Sequence, residues 1–256
     1  VKIKHHIKRF FTLALWITIG AGIMVLLVAA IRDRSDQTCR GYSIRITGSG
    51  EQRFMNEERV VDMLKVNGSI RGRSIKRFDL RSIESKLESH PWVRNAELFF
   101  DNNQVLQVRI EEKEPLARVF TTDGNSFYIS RNGEWLPLSE RYSARLPVFT
   151  NFPGSKGAKT QADSLLVLNM ERVSDFLLKN PFWMSQVAQI DITRDRQFEI
   201  VPLVGNHIIE FGGGEGCENK FHRLMLFYQQ VLSKVGMDAY ERIKVQFEGQ
   251  VVGVKK

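Results

Sequence analysis

Residues Phe10 to Ile31, FFTLALWITIGAGIMVLLVAAI, carry no charged side chain. At about 1.5 Å of rise per residue, a helix of that length crosses a hydrocarbon core of about 30 Å. Lys2, Lys4, Lys8 and Arg9 precede the run with no acid among them, whereas Arg32 and Arg34 behind it are offset by Asp33 and Asp36. The excess of Lys and Arg on the N-terminal side predicts a cytoplasmic tail (1–9), a transmembrane helix (10–31) and an extracytoplasmic remainder. Phe10 and Ile31 bound this anchor, and Trp16 lies within it. A cleaved signal peptide is the alternative, with Val28-Ala29-Ala30 as small residues. Its apolar region is usually about 7–15 residues, shorter than this run.

The tail accounts for half of the formal net charge of +8. What remains is a modest excess that argues little for nucleic acid as a partner. Hydrophobic residues at 43% and charged residues at 26% describe a packed chain rather than a disordered one. Cys39 and Cys217 are too few for a disulfide framework. In an oxidising compartment they could pair, and the sequence leaves that open.

Beyond a polar juxtamembrane linker (32–40), YSIRITG alternates Ile44 and Ile46 with Arg45 and Thr47 and predicts a strand. NEERVVDMLKVNG reads as a helix capped by Asn56, with acids in its first turn and Gly68 past its end. DLRSIESKLESH is a second helix, capped by Asp79, with Leu80, Ile83 and Leu87 on one face. Pro91 lacks an N–H and disfavours helix at His90, so the helix stops there. Ala96, Leu98 and Phe100 then share one face of a strand. Asp101-Asn102-Asn103 turns the chain, its asparagines tolerant of positive φ, and Leu106, Val108 and Ile110 return. The order strand, helix, helix, strand, strand predicts a small sheet covered on one face by two helices, with Trp92 where helix and sheet meet.

This arrangement resembles a POTRA domain. The phrase ESHPWVRNAELFFDNNQVLQVRIEEKEPLARV resembles that of the bacterial FtsQ/DivIB cell-division family. Pro91, Trp92, Val93 and Ala96 fill the family's helix-end motif, and Glu112 to Ala117, including Pro115, fill its closing segment. The resemblance covers essentially the whole chain. It implies an α+β fold: a single N-terminal transmembrane helix, a POTRA domain over 41–115 and a mixed, β-rich FtsQ-type domain with two longer helices over 116–256.

In that second domain FYISRNGEWLPLS reads as a hairpin around Asn132-Gly133. YSARLPVFTNF resembles the family's link ahead of its long helix. That helix is predicted over about 162–178, with Leu166, Met170, Val173 and Leu177 as its stripe, stopping before Pro181. Strands are expected at 188–193, 197–202 and 207–211. A last helix carries Phe221, Leu224, Tyr228, Val231 and Val235 toward the core. The chain closes on a strand in which Ile243, Val245, Phe247 and Val251 alternate with Lys244, Gln246, Glu248 and Gln250.

No catalytic constellation emerges. FGGGEG, between a strand and a helix, invites a phosphate loop. Cys217 stands where a third glycine would be needed, and no Lys-Ser/Thr pair follows, so the glycines read as a tight turn. Cys217 and His222 could suggest a thiol and its base, but they lie five apart with no third group. Five scattered histidines contain no metal-binding spacing. No catalytic residue, metal, cofactor or small-molecule substrate is expected.

The final strand is the surface of interest, because an edge strand offers unpaired backbone groups to a partner. Spacing alone weighs this evenly against a strand that is merely last. The family resemblance implies that the last strand and its surroundings bind FtsB of the FtsB–FtsL pair by strand addition. The residues implied are Lys244, Gln246, Phe247, Glu248, Gln250 and Val251, with Arg196 contributing a basic side chain. Many members have Arg where this chain has Gln246, which puts the expected salt bridge in doubt. The resemblance therefore implies a non-enzymatic, bitopic divisome scaffold in the inner membrane at the septum. It would link early division proteins to FtsB–FtsL and so to septal peptidoglycan synthesis. The alternatives are a membrane-anchored extracytoplasmic enzyme and another POTRA-type assembly or chaperone module.

Overall fold

The computed structural model describes residues 14–27, 37–48, 53–65, 68–139, 142–153 and 161–256. Helix α1 (14–27) is about 21 Å long at 1.5 Å per residue. Among the described residues no helix is long and apolar enough to cross a membrane. Trp16 lies in α1 and is exposed, while Phe10 and Ile31, the expected ends of the anchor, fall outside the described residues along with the tail 1–9.

Packing divides the chain into two units. The first ends at Glu111, and the second comprises Gly48–Phe54 and Glu112–Lys256. In the first, β1 (Gly41–Thr47), α2 (Glu57–Lys65), a 3-10 turn (Ile75–Arg77), α3 (Leu80–Glu88), β2 (Val93–Phe100) and β3 (Val105–Glu112) build a sheet ordered β1-β3-β2, with β1 parallel to β3. The caps form from the side chains read in the sequence. Asn56 Oδ1 accepts the Arg59 N–H at 3.0 Å, and Asp79 Oδ1 accepts the Ser82 N–H at 3.2 Å. Val60, Leu64, Ile83 and Leu87 of the helices are buried, as are Ala96, Leu98, Leu106, Val108 and Ile110 of the sheet. Trp92 and Val93 are buried and Pro91 is exposed. The β2–β3 turn is held by Asp101 Oδ1, which accepts the Asn103 and Val105 N–H groups at 2.9 Å each. Its positive φ falls on Gln104 rather than on an asparagine.

The second unit is a nine-stranded sheet ordered β12-β11-β10-β9-β8-β7-β4-β5-β6. Its strands are β4 (Pro115–Thr121), β5 (Ser126–Ser130), β6 (Trp135–Leu136), β7 (Val148–Phe152), β8 (Val187–Ile192), β9 (Phe198–Pro202), β10 (Ile208–Gly212), β11 (Tyr240–Lys244) and β12 (Val252–Lys255). Pro115 thus opens β4. The pairs β7–β8 and β10–β11 are parallel, and parallel neighbours need a crossover. Helix α4 (Gln161–Lys179), followed by the short α5 (Pro181–Gln186), supplies one. Helix α6 (Cys217–Phe227), continued by a π-turn (Tyr228–Leu232) and α7 (Ser233–Val235), supplies the other. The crossover helices meet where Phe176 of α4 stacks on Phe221 of α6, with centroids 4.5 Å apart, and Trp183 and Phe211 close the same cluster.

Three expectations change here. The stretch containing Val148–Phe152, expected as a link, is strand β7 inside the sheet, with Phe149 and Phe152 fully buried. The helix does stop before Pro181, but the proline starts α5, where its missing N–H costs nothing. In the last crossover Leu232 is buried while Val235 is exposed and Val231 half-buried. The π-turn adds a residue to the turn and shifts the apolar stripe by one position.

Candidate partner-docking edge

β11 lies against β10 and carries the charges of this end of the sheet. Arg242 Nε reaches Glu210 Oε1 at 2.5 Å, its Nη2 pairs with Glu199 of β9, and Lys244 Nζ stands 3.1 Å from Glu210 Oε2. Burial pushes the Glu210 carboxyl up, but hydrogen bonds from Arg242 and Lys244 outweigh it, so its pKa lies below the ordinary value. The same bond to Glu210 raises that of Arg242. Lys244, expected to face a partner, is therefore committed to a ladder across β9, β10 and β11.

The chain leaves the sheet after Val245, whose N–H donates to the Glu210 carbonyl at 3.0 Å. This corrects the single final strand expected over 243–251. Gln246, Phe247, Glu248 and Gln250 occupy the connection between β11 and β12, not a strand. Two features end β11. Arg223 of α6 donates from Nη2 to the carbonyls of Val245 (2.9 Å) and Phe247 (3.1 Å), which shapes the connection around its guanidinium. Gly249 then takes a left-handed φ of 72°, open to it at no steric cost, and the chain reverses. Phe247 is 44% exposed, while Val251 packs partly against the core.

β12 runs back antiparallel to β11, pairing Lys244 with Val252, Ile243 with Gly253 and Arg242 with Val254. It is the outermost strand of the sheet, and Val252 and Val254 are exposed. A Cβ on Gly253 would lie 2.5 Å from Tyr240 Cε1 and 2.6 Å from its Cδ1, so the ring lies directly over the glycine. The ring also packs against the core and meets Phe227 edge-on at a centroid distance of 5.4 Å. Sequence reasoning missed Arg223, Tyr240 and Gly253. A glycine within a strand pattern signals a close approach, so Gly253 could have been found; nothing local marks Arg223.

Gln246 and Arg196 belong to the same end of the sheet. Gln246 packs beside Gly212, and Gln197, the neighbour of Arg196, reaches the same spot. Arg196 itself has a φ of 58° in the β8–β9 turn, and its Nη2 pairs with Asp163 of α4 at 3.0 Å.

The glycine-rich loop has a packing explanation. A Cβ on Gly214 would fall 2.6 Å from the Asn169 carbonyl oxygen and 2.8 Å from its Cα, so the loop lies against the backbone of α4. Burial pushes the Cys217 thiol up to about 12, far from a thiolate, and His222 is exposed on α6. Cys217 and Cys39 are free and buried. A cleft of about 610 Å³ beside the loop carries charges of both signs, Arg172 and Lys179 with Asp175 and Glu218. Among the described residues no cluster of His, Cys, Asp and Glu could hold a metal ion.

The fold defines an α+β protein in which a small helix-covered sheet precedes a long mixed sheet with an open edge strand. A model described as a POTRA-like domain matches residues 37–111, and one described as FtsQ/DivIB, C-terminal related matches residues 114–254. The chain belongs to the FtsQ/DivIB family. Among similar proteins, the cell division protein FtsQ of Geotalea daltonii is 24% identical over 230 residues, covering 85% of this chain and 82% of the relative. That of Salinibacter ruber is 24% identical over 188 residues, 71% of this chain and 72% of the relative. That of Myxococcus fulvus is 25% identical over 120 residues, 47% of this chain and 40% of the relative.

Proposed function

We propose that the chain is a cell-division protein that acts as a non-enzymatic scaffold, held in the inner membrane by the run Phe10–Ile31 with both units on the outer side at the septum. Its relatives carry the name of a cell division protein. The uncharged run with its basic tail supports the anchor. The partner is the FtsB–FtsL pair, docked by strand addition on β12. One observation carries this reading: β12 is an outer strand of a nine-stranded sheet, with Val252 and Val254 exposed on it and Phe247 exposed in the connection that precedes it. An added strand would satisfy the outward N–H and C=O groups, and the two valines offer apolar contacts.

The experiment is a proline scan of the full chain at Val254 and Lys255, successive positions of β12 that already carry side chains, with capture of co-expressed FtsB–FtsL in detergent extract and thermal unfolding as readouts. Successive N–H groups of an antiparallel edge strand point alternately inward and outward. Proline at the inward position breaks the pairing with β11 and lowers the melting temperature. Proline at the outward position leaves the fold intact and abolishes capture. A pair of variants that both fold and both capture FtsB–FtsL at full level overturns the assignment.

A further inference from the structure

We propose that a cationic face of the first unit, centred on the loop from Arg71 to Arg77, rests on the anionic lipid headgroups of the membrane that holds the chain. Between Lys65 and Arg81 the sequence places six cations against one acid, Asp79. That carboxylate accepts the Ser82 N–H at the start of α3. Arg73 is turned inward, donating from Nη2 to the Arg77 carbonyl at 2.8 Å and lying over the Phe78 ring at 4.7 Å. Its role is to hold the loop. Lys65, Arg71, Lys76, Arg77 and Arg81 are exposed, and Arg40 is exposed beside them in sequence to β1. Among the described residues none of these six enters an ion pair. On the sheet of the same unit, by contrast, Arg94 pairs with Glu111 and Arg109 with Glu97. The unit thus pairs the cations of β2 and β3, while those of the loop, like Arg45 of β1, stay exposed.

The backbone ties this loop to the chain that follows the uncharged run. Cys39 N–H donates to the Arg73 carbonyl (2.9 Å), Gly72 N–H to the Cys39 carbonyl (2.8 Å) and Ile75 N–H to the Gln37 carbonyl (3.0 Å). Thr38 and Ser74 form a bridge between them. Only six peptide steps separate Ile31 from Gln37, and an extended chain covers at most about 3.6 Å per residue, so the loop is tethered within about 22 Å of the end of the run. Attraction to an anionic surface acts over a Debye length of about 8 Å at physiological salt, and the tether keeps the cations near that range. A cleft of about 540 Å³ beside the loop, lined by Tyr42, Lys65, Gly68, Ser69, Ile70 and Arg71, has cations at its rim and room for a headgroup. The charge is of one sign and the site is fixed beside the membrane-proximal chain, which selects lipid over a diffusing partner.

This inference rests on the anchor of the proposed function, and the test separates the two. The full chain is reconstituted into vesicles of phosphatidylcholine alone or with phosphatidylglycerol, and deuterium exchange of the peptide spanning the loop is compared. The expected result is several-fold slower exchange in the anionic vesicles, lost at high salt and lost in the Arg71→Glu/Lys76→Glu/Arg77→Glu variant, whose melting temperature reports that it is folded. Failure of the chain to stay with either vesicle through alkaline extraction refutes the anchor. Retention with equal exchange in the two vesicles overturns the lipid contact alone. Protection in native membranes but not in anionic vesicles overturns it in favour of an acidic protein.

Discussion

Gly253→Ala is the smallest change that interrogates the edge strand. The added methyl would sit 2.5 Å from Tyr240 Cε1, 2.6 Å from Cδ1 and 3.3 Å from Cζ, where carbon atoms in contact keep about 3.5–4.0 Å. The overlap is about 1 Å across one edge of the ring. Either the ring swings away and gives up Phe227, or β12 withdraws from β11. Overpacking of this kind costs roughly 1–3 kcal/mol. For a unit of this size each kcal/mol shifts the melting temperature by about 2–4 °C, so the loss is readable by calorimetry. Tyr240→Ala supplies the control. In that background the methyl meets no ring, so the double-mutant cycle should return a coupling of at least about 1 kcal/mol. Capture of FtsB–FtsL should fall with Gly253→Ala, because the displaced element is the proposed docking strand. An unchanged melting temperature, or equal costs in the two backgrounds, would show that the ring does not hold β12.

Trp92→Ala, at a position 3% exposed, should destabilise the first unit by about 3–5 kcal/mol, read from chemical denaturation, while leaving the unfolding of the second unit in place. His207 gives a pH dependence. It is buried, its Nδ1 stands 3.2 Å from the Met237 carbonyl and its Nε2 2.8 Å from the Tyr228 hydroxyl, and burial lowers its pKa below 6.5 despite the opposing effect of that hydrogen bond and of Asp238. The unfolded chain then binds the proton more readily than the folded one, so stability is full above about pH 6.5 and declines as pH falls through that value toward the folded-state pKa. His90, lowered by burial and by Arg59, adds in the same direction. The second-unit transition should lose more between pH 7.5 and 5.5 in the parent than in His207→Asn; equal losses would remove His207 as the cause.

What the sequence revealed was whatever is governed by neighbours a few residues away. Asp79 caps α3 because the Ser82 N–H is three residues on, and Leu166, Met170, Val173 and Leu177 are buried because a helix brings them to one side. Asn132-Gly133 turns the chain between β5 and β6 for an equally local reason, with Gly133 at a φ of 68°. What stayed hidden depends on distant partners. β7 follows Leu146-Pro147 and is only five residues long, so it reads as a link; its parallel partners β4 and β8 are made elsewhere in the chain. The apolar alternation from Ile243 to Val251 reads as one strand, and Arg223, which shapes its exit from the sheet, stands more than twenty residues earlier on another element. The π-turn at Tyr228–Leu232 has no local signal in these side chains, and we have no physical account of why it forms there.

The edge and its backbone chemistry were legible in the sequence, but not the strand that forms it, β12. The family resemblance implies strand addition with a basic contribution from Arg196 and a salt bridge in doubt at Gln246; in the structure Lys244 is held by Glu210 and Arg196 by Asp163. Offering either cation to a partner would draw it away from a carboxylate that is largely shielded from solvent, in exchange for a more exposed pair. The side chains that remain to a docked strand are Phe247, Val252 and Val254, and the directional part of the contact falls to the backbone of β12. Backbone hydrogen bonds and apolar contacts are little affected by screening, whereas the exposed cations of the loop from Arg71 to Arg77 depend on it. The two proposed surfaces would therefore divide the work by physical kind: a salt-tolerant edge that reads strand register, and a salt-sensitive face that reads the sign of the membrane surface.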